Sequence, residues 1–275
     1  MPDSLGKLVK RFKYPVVTLI SHGHHLHHPV WNLKKRWVKT KSVMTYLLSK
    51  EDLEELSVEE INERIREAYY YNDYEYQVNN NIKIKGNDRA LNLHKVLYRC
   101  PHCLSDNTMK GENNNLTCTN CHHSYYVDEY NRLNEVKSET VFNFIPDWFD
   151  WQREEVRKEI EKDEYNLETE VYIDSLPNST GFYRLGKGKL THNKNGFLLE
   201  AEFQGEEFKV TKPVLTNYGV HIEYEYFGKG DCISFSTNND TYYLFPVKQD
   251  VPVTKIHFAV EELYKIASKK PTHNE

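Results

Sequence analysis

The sequence has no apolar run near the roughly 18 residues that a membrane-spanning helix needs. The longest run near its start is "PVVTLI", residues 15–20. The opening "MPDSLGKLVKRF" lacks the apolar stretch and small-residue cleavage site of a secretory signal. A cytoplasmic protein with reduced cysteines is therefore expected. Cysteine is scarce, at five residues in 275, and no thioredoxin-like βαβ pattern surrounds it, which argues against a redox pair. No dense Lys/Arg patch flanks the cysteines, so nucleic-acid binding is not expected. No internal repeat is evident.

What is present begins with unevenly spread charge. Residues 1–41 hold nine Lys/Arg and one acid, whereas residues 51–75 hold ten acids and two Arg. The basic stretch could attract phosphate or an anionic membrane surface; the plainer alternative is a pair of complementary solvated faces.

"YPVVTLI" (14–20) reads as a buried strand that opens at Pro15. Where it ends, five histidines fall within seven positions: His22, His24, His25, His27 and His28. In open α/β sheets, ligands gather at such strand ends. Ser57 and Glu60 have capping-box spacing, and Ile61, Ile65, Ala68 and Tyr69 line one face of the helix that follows. The polar stretch 76–98 reads as a linker. Residues 145–163 form a connecting helix that starts at Pro146–Asp147. Its face of Trp148, Trp151, Val156 and Ile160 suits docking onto a neighbouring domain better than lying on a membrane.

Residues 168–268 change character. About seven short alternating runs, such as "FLLEAEF" and "VHIEYEYF", predict antiparallel strands. A C-terminal helix follows, with Ile256, Val260, Leu263 and Tyr264 on one face. The order resembles a pleckstrin-homology-like (GRAM-type) domain. Within it, "LGKGKL" and "YFGKGD" place Lys187, Lys189 and Lys229 in loops, and Cys232 reads as a small buried hydrophobe.

The strongest local signal is "CPHC…CTNC": Cys100, Cys103, Cys118 and Cys121, two C-x2-C turns separated by fourteen residues. Four thiolates complete the closed tetrahedral shell of a structural Zn2+, and leave no open position for catalysis. A zinc ribbon over 99–133 is expected, folded with the help of its metal. His102, His122 and His123 sit beside the ligands as bystanders.

Several stretches together resemble one family: "PDSLGKLVKRFKYPVVTLISHGHHLHHPVWN", "LSVEEINERIREA", "LHKVLYRCPHC", "IPDWFDWQREEVRKEI" and "LGKGKLTH". They are similar to the C-terminal portion of long bacterial glycerolipid acyltransferases of the 1-acylglycerol-3-phosphate type. The resemblance implies an α+β multidomain chain: a partial α/β acyltransferase remnant (1–75), the linker, the zinc ribbon, the connecting helix and the β-rich domain. It implies acyl transfer from acyl-CoA or acyl carrier protein to a lysophospholipid, on the inner face of the membrane. The family's His-x4-Asp dyad and Glu-Gly motif would lie upstream of residues 14–20. No catalytic residue is therefore assigned here, and this chain is expected to be inactive unless an N-terminal half completes it. The formal match His123–Asp128 falls in the ribbon, where positions five apart on a strand face opposite sides. The resemblance makes the histidine loop a wall of the family's cleft, with His22, His24, His25, Lys34, Lys35 and Arg36 as candidate substrate contacts. Two other roles stay open for the histidines. A general base lacks an orienting aspartate in the local sequence, and imidazoles could hold a transition metal. The other function that fits is a standalone module that binds protein, lipid or nucleic acid.

Overall fold

The computed structural model describes residues 4–136, 139–238 and 240–269. The chain forms two compact units, the first ending at Lys85 and the second starting at Gly86.

The first unit runs α1 (Ser4–Phe12), β1 (Val16–His22), α2 (His24–His27), β2 (Lys41–Leu48), α3 (Lys50–Glu55), α4 (Val58–Tyr69) and α5 (Asp73–Asn79). Ser49 and Ser57 start α3 and α4 with capping boxes; Ser57 N–H donates to Glu60 at 2.8 Å and Glu60 N–H to the Ser57 hydroxyl at 3.2 Å. Ile61 and Ile65 of α4 join Leu48 and Leu53 in a buried cluster that Leu5 and Val9 of α1 cover. Gly6 permits the close approach of α1, since a Cβ there would lie 2.7 Å from the Val58 carbonyl oxygen.

β1 departs from the sequence expectation. It is not a strand buried on both faces but half of a two-stranded antiparallel pair with β2. Val17 pairs with Tyr46 and Leu19 with Met44, and all four side chains are exposed. A short β-branched run looks the same whether two faces are covered or one, so the sequence could not separate these cases.

In the second unit, part of the stretch read as a linker is built into the core: Ala90, Leu93, Val96, Leu97 and Tyr98 are buried. A four-stranded antiparallel sheet follows in sequential order: β3 (Met109–Glu112), β4 (Asn115–Cys118), β5 (Ser124–Val127) and β6 (Leu133–Glu135). Next comes α6 (Ile145–Glu161), then β7 (Leu167–Ser175), β8 (Tyr183–Asn193), β9 (Gly196–Phe203), β10 (Glu206–Lys212), β11 (His221–Glu223), β12 (Cys232–Ser236), β13 (Thr241–Pro246) and α7 (Val253–Lys269). These last seven strands form one antiparallel sheet in the order β10-β9-β8-β7-β13-β12-β11. The chain builds outward from β7 on one side, then crosses and returns to pair β13 with β7.

α6 joins the two sheets. Trp148, Gln152 and Val156 are buried at four-residue spacing, which keeps them on one face. Trp148 packs against Tyr125 of β5, with ring centroids 4.9 Å apart, and its indole N–H donates to the Arg99 carbonyl at 2.9 Å. Val156 meets Tyr98, Tyr165 and the α7 residues Phe258, Ala259 and Leu263 in a shared core. Charged bonds reinforce this joint: Lys95 Nζ lies 2.7 Å from Glu225 and 2.5 Å from Asp231, and Lys255 Nζ lies 2.6 Å from Asp106 and 2.8 Å from Glu159.

Candidate metal centre

Two similar turns carry the four cysteines. In the first, the Leu104 N–H donates to the Cys100 carbonyl at 3.0 Å; in the second, the His122 N–H donates to the Cys118 carbonyl at 3.0 Å. Leu104 and His122 both take left-handed backbone, φ 57° and 62°. Each turn thereby curls its amides inward. Those of His102 and Cys103 face the Cys100 sulfur, and those of Asn120 and Cys121 face the Cys118 sulfur.

The thiols converge. Cys100 Sγ and Cys121 Sγ are 3.5 Å apart, Cys103 Sγ and Cys118 Sγ 3.7 Å, and all four sulfurs lie within 4.8 Å of one another. A disulfide would need about 2.05 Å, and all four cysteines are free. Sulfurs around a tetrahedral ion at about 2.3 Å are separated by about 3.8 Å. The four residues can therefore hold a metal ion.

Their electrostatics fit this use. Burial works against ionising Cys103, but hydrogen bonds from Ser105, Asn120 and Cys100 outweigh it and bring the thiol to about 5. Burial is also the largest influence on Cys118, where amides and Thr108 again win and lower it. At Cys100 and Cys121 burial prevails and holds the thiols up. A bound cation favours ionisation of all four together.

Beside this centre lies a cluster that the sequence reading passed over. His102 and His123 stack with ring centroids 3.7 Å apart at 8°. Their Nε2 atoms lie 3.0 and 3.7 Å from Glu135 Oε1, and the Glu135 side chain is 1% exposed. Tyr125 Oη is 2.9 Å from His102 Nε2. Burial and the Glu135 carboxylate push the Tyr125 phenol well above its usual range, so it stays protonated. His122 is exposed and stands apart. The His123–Asp128 match forms no dyad: Asp128 Oδ1 instead closes a turn by accepting from the Tyr130 and Arg132 amides at 2.8 and 2.9 Å.

In the first unit, the candidate substrate contacts differ in exposure. His24, Lys34 and Lys35 are exposed, whereas Arg36 is 7% exposed. His22 sits against Tyr71 and Tyr76, and His25 against Trp31 and Tyr74. Burial lowers the pKa of His25, and Arg36 and His24 act in the same direction against Asp73. Asp73, distant in sequence, does approach the cluster. Its oxygens, however, accept from the Gly23 and His25 amides at 2.9 and 3.2 Å and from the Tyr71 hydroxyl at 2.6 Å. It clamps the loop backbone. Among the described residues two groups bring metal donors together, and neither contains these histidines.

The β-domain lysines also differ from expectation. Lys187 and Lys189 lie on β8, not in a loop, and pair across the sheet with Glu170 at 3.3 Å and Glu168 at 2.6 Å. The glycine between them marks a crowded strand: a Cβ on Gly188 would lie 2.7 Å from the Glu200 carbonyl oxygen. Lys229 is in a turn, 2.8 Å from the buried Asp174, which Arg184 also binds. Cys232 is buried on β12.

No family model, curated protein or solved structure matches the chain. Among the described residues, no helix is long and apolar enough to cross a membrane.

Proposed function

We propose that the chain is the non-catalytic C-terminal part of a glycerolipid acyltransferase of the 1-acylglycerol-3-phosphate type, whose catalytic half is a separate stretch of polypeptide. One observation carries this reading. The β1–β2 pair exposes Val17, Leu19, Met44 and Tyr46 on one apolar face. A two-stranded sheet is marginal by itself, and a contiguous exposed apolar face marks a surface that a partner covers. The acyltransferase α/β half is the partner that the sequence resemblance suggests.

In this reading the four cysteines hold a structural Zn2+ in a zinc ribbon. The sulfur separations and the all-thiolate donor set support zinc. The strand order β10-β9-β8-β7-β13-β12-β11 with its terminal helix supports a pleckstrin-homology-like third domain. Acyl transfer needs a positioned base on the acceptor hydroxyl, and the separate half supplies it.

The test is complementation. The chain alone should not transfer acyl groups from acyl-CoA or acyl carrier protein to a lysophospholipid. Adding an acyltransferase half that bears His-x4-Asp should restore transfer, and Leu19→Glu should weaken the rescue. Activity of the isolated chain that His123→Ala abolishes with the thiolate-bound metal intact would refute the reading. Absence of rescue by any such half would favour a standalone binding module, whose ribbon and β domain the α6 contacts already join into one unit.

A further inference from the structure

We propose that His102, His123 and Glu135 form a second metal site, distinct from the four-thiolate centre and open to solvent, that takes a divalent transition-metal ion such as Zn2+ or Co2+.

The placement comes from two levels of structure. His102 lies inside the first cysteine turn and His123 just past the second, so the convergence of the turns stacks their rings. Glu135 arrives from β6, directly across from Tyr125 of β5. Stacking puts the two Nε2 atoms side by side, 3.0 and 3.7 Å from one carboxylate oxygen, and the three donors lie within 4.8 Å of one another. Ligands around an ion at about 2.0–2.2 Å stand roughly 3–4.3 Å apart, so the separations suit a shared ion; because each imidazole lone pair lies in its ring plane, the stacked rings must tilt out of parallel to take it.

Chemistry points the same way. The Glu135 side chain is 1% exposed, has the Tyr125 hydroxyl as one hydrogen-bond partner, and offers an ion held by the two imidazoles an anionic oxygen ligand. Two histidines and a glutamate are also a donor set found at sites with a free coordination position. His102 and His123 side chains are 22% and 37% exposed, so water or an anion can reach that position. Nitrogen and oxygen donors suit Zn, Co and Ni, whereas the neighbouring thiolates make a closed shell. The two sites therefore differ in ligand chemistry and in spectrum.

Cobalt titration of the reduced, metal-free full chain separates them. Thiolate-to-cobalt charge-transfer bands report the cysteine centre. The second site should add weaker ligand-field bands with no further thiolate charge transfer. Saturation is expected at about two ions per chain, and mass spectrometry of the zinc form should agree. The double variant His102→Asn/His123→Asn should fall to about one ion with the thiolate bands unchanged, and Glu135→Gln should do the same. If Glu135→Gln also loses the thiolate bands, the double variant decides, because its changes are at partly exposed positions. Saturation at one ion with full thiolate bands in the wild type would overturn the proposal and leave a histidine–carboxylate contact. So would two ions that persist in the double variant. One ion with no thiolate bands would sink the cysteine assignment and leave this site standing.

Discussion

Replacing Gln152 with methionine tests whether α6 welds the cysteine module to the β domain. Gln152 is 0% exposed. Its Nε2 donates to the Val96 carbonyl at 2.8 Å, and its Oε1 accepts from the Arg99 N–H at 2.9 Å. One side chain thereby serves two backbone groups of the segment that leads directly into Cys100. Methionine is close in volume and flexibility, so the change removes the polar partner and leaves little cavity. Each buried group deprived of its partner costs about 1–3 kcal/mol. Together they should lower stability by about 2–6 kcal/mol, a large share of the roughly 5–15 kcal/mol of an ordinary domain. The Trp148 indole still holds the Arg99 carbonyl, which limits displacement and keeps the two lost bonds as the main cost. Urea unfolding of the metal-loaded protein, followed by tryptophan fluorescence and circular dichroism, should show an earlier midpoint at unchanged slope. Metal should also pass faster to a chelator, because the first cysteine turn loses its anchor. A loss below about 0.5 kcal/mol, the range of ordinary surface substitutions, would refute the argument.

Cys118→Ser should abolish thiolate-type metal binding and unfold β3–β6, since metal affinity in such modules is folding energy of about 10–16 kcal/mol; freshly purified wild type without zinc, iron or cobalt would contradict this. Burial lowers the His192 pKa to about 3 from an ordinary 6.5. Because its folded value is depressed, its contribution is full above pH 6.5 and is lost as pH falls towards 3, with a slope of about 1.4 kcal/mol per pH unit inside that window. His192→Gln should flatten the slope, and an unchanged pH–stability curve between pH 6.5 and 4 would show that His192 is not responsible. Gly188→Ala places a Cβ about 2.7 Å from the Glu200 carbonyl oxygen and Ile173 Cδ1; overpacking of this kind costs about 1–3 kcal/mol, and a variant that melts with wild type would show that β8 relaxes freely.

Legibility in the sequence followed the range of the constraint. The capping box at Ser57 and Glu60 spans three residues, and the structure forms it. The C-x2-C pairs are as local, so convergence of the four sulfurs could be expected from spacing alone. Helices α6 and α7 showed through the periodicity of Trp148, Val156, Ile256 and Leu263, and the alternation after residue 168 revealed strands. What alternation could not reveal was which glycines end a strand. "LGKGKL" looks like a turn, yet it lies within β8, where Gly188 answers the crowding of β7 and β9.

The features that stayed hidden depend on register between distant strands or on what covers a face. Val17 and Leu19 look like core until the sheet is known to have two strands. Gln152 looks like a solvated helix residue until the buried path of residues 96–99 beneath it is known. The same limit applies to His102, His123 and Glu135. Each histidine was visible beside a cysteine, but Glu135 enters only because β6 pairs with β5 so that it faces Tyr125. The two donor sets thus share one pair of turns and rest on different physics. Each cysteine pair is set by local turn geometry, which a spacing encodes, and the single β3–β4 hairpin brings the two turns together. The histidines gain a carboxylate only through the completed sheet. If that sheet needs the thiolate-bound ion to form, the second site exists only when the first is filled. Cobalt should then enter in order, with thiolate charge-transfer bands complete before the weaker bands begin.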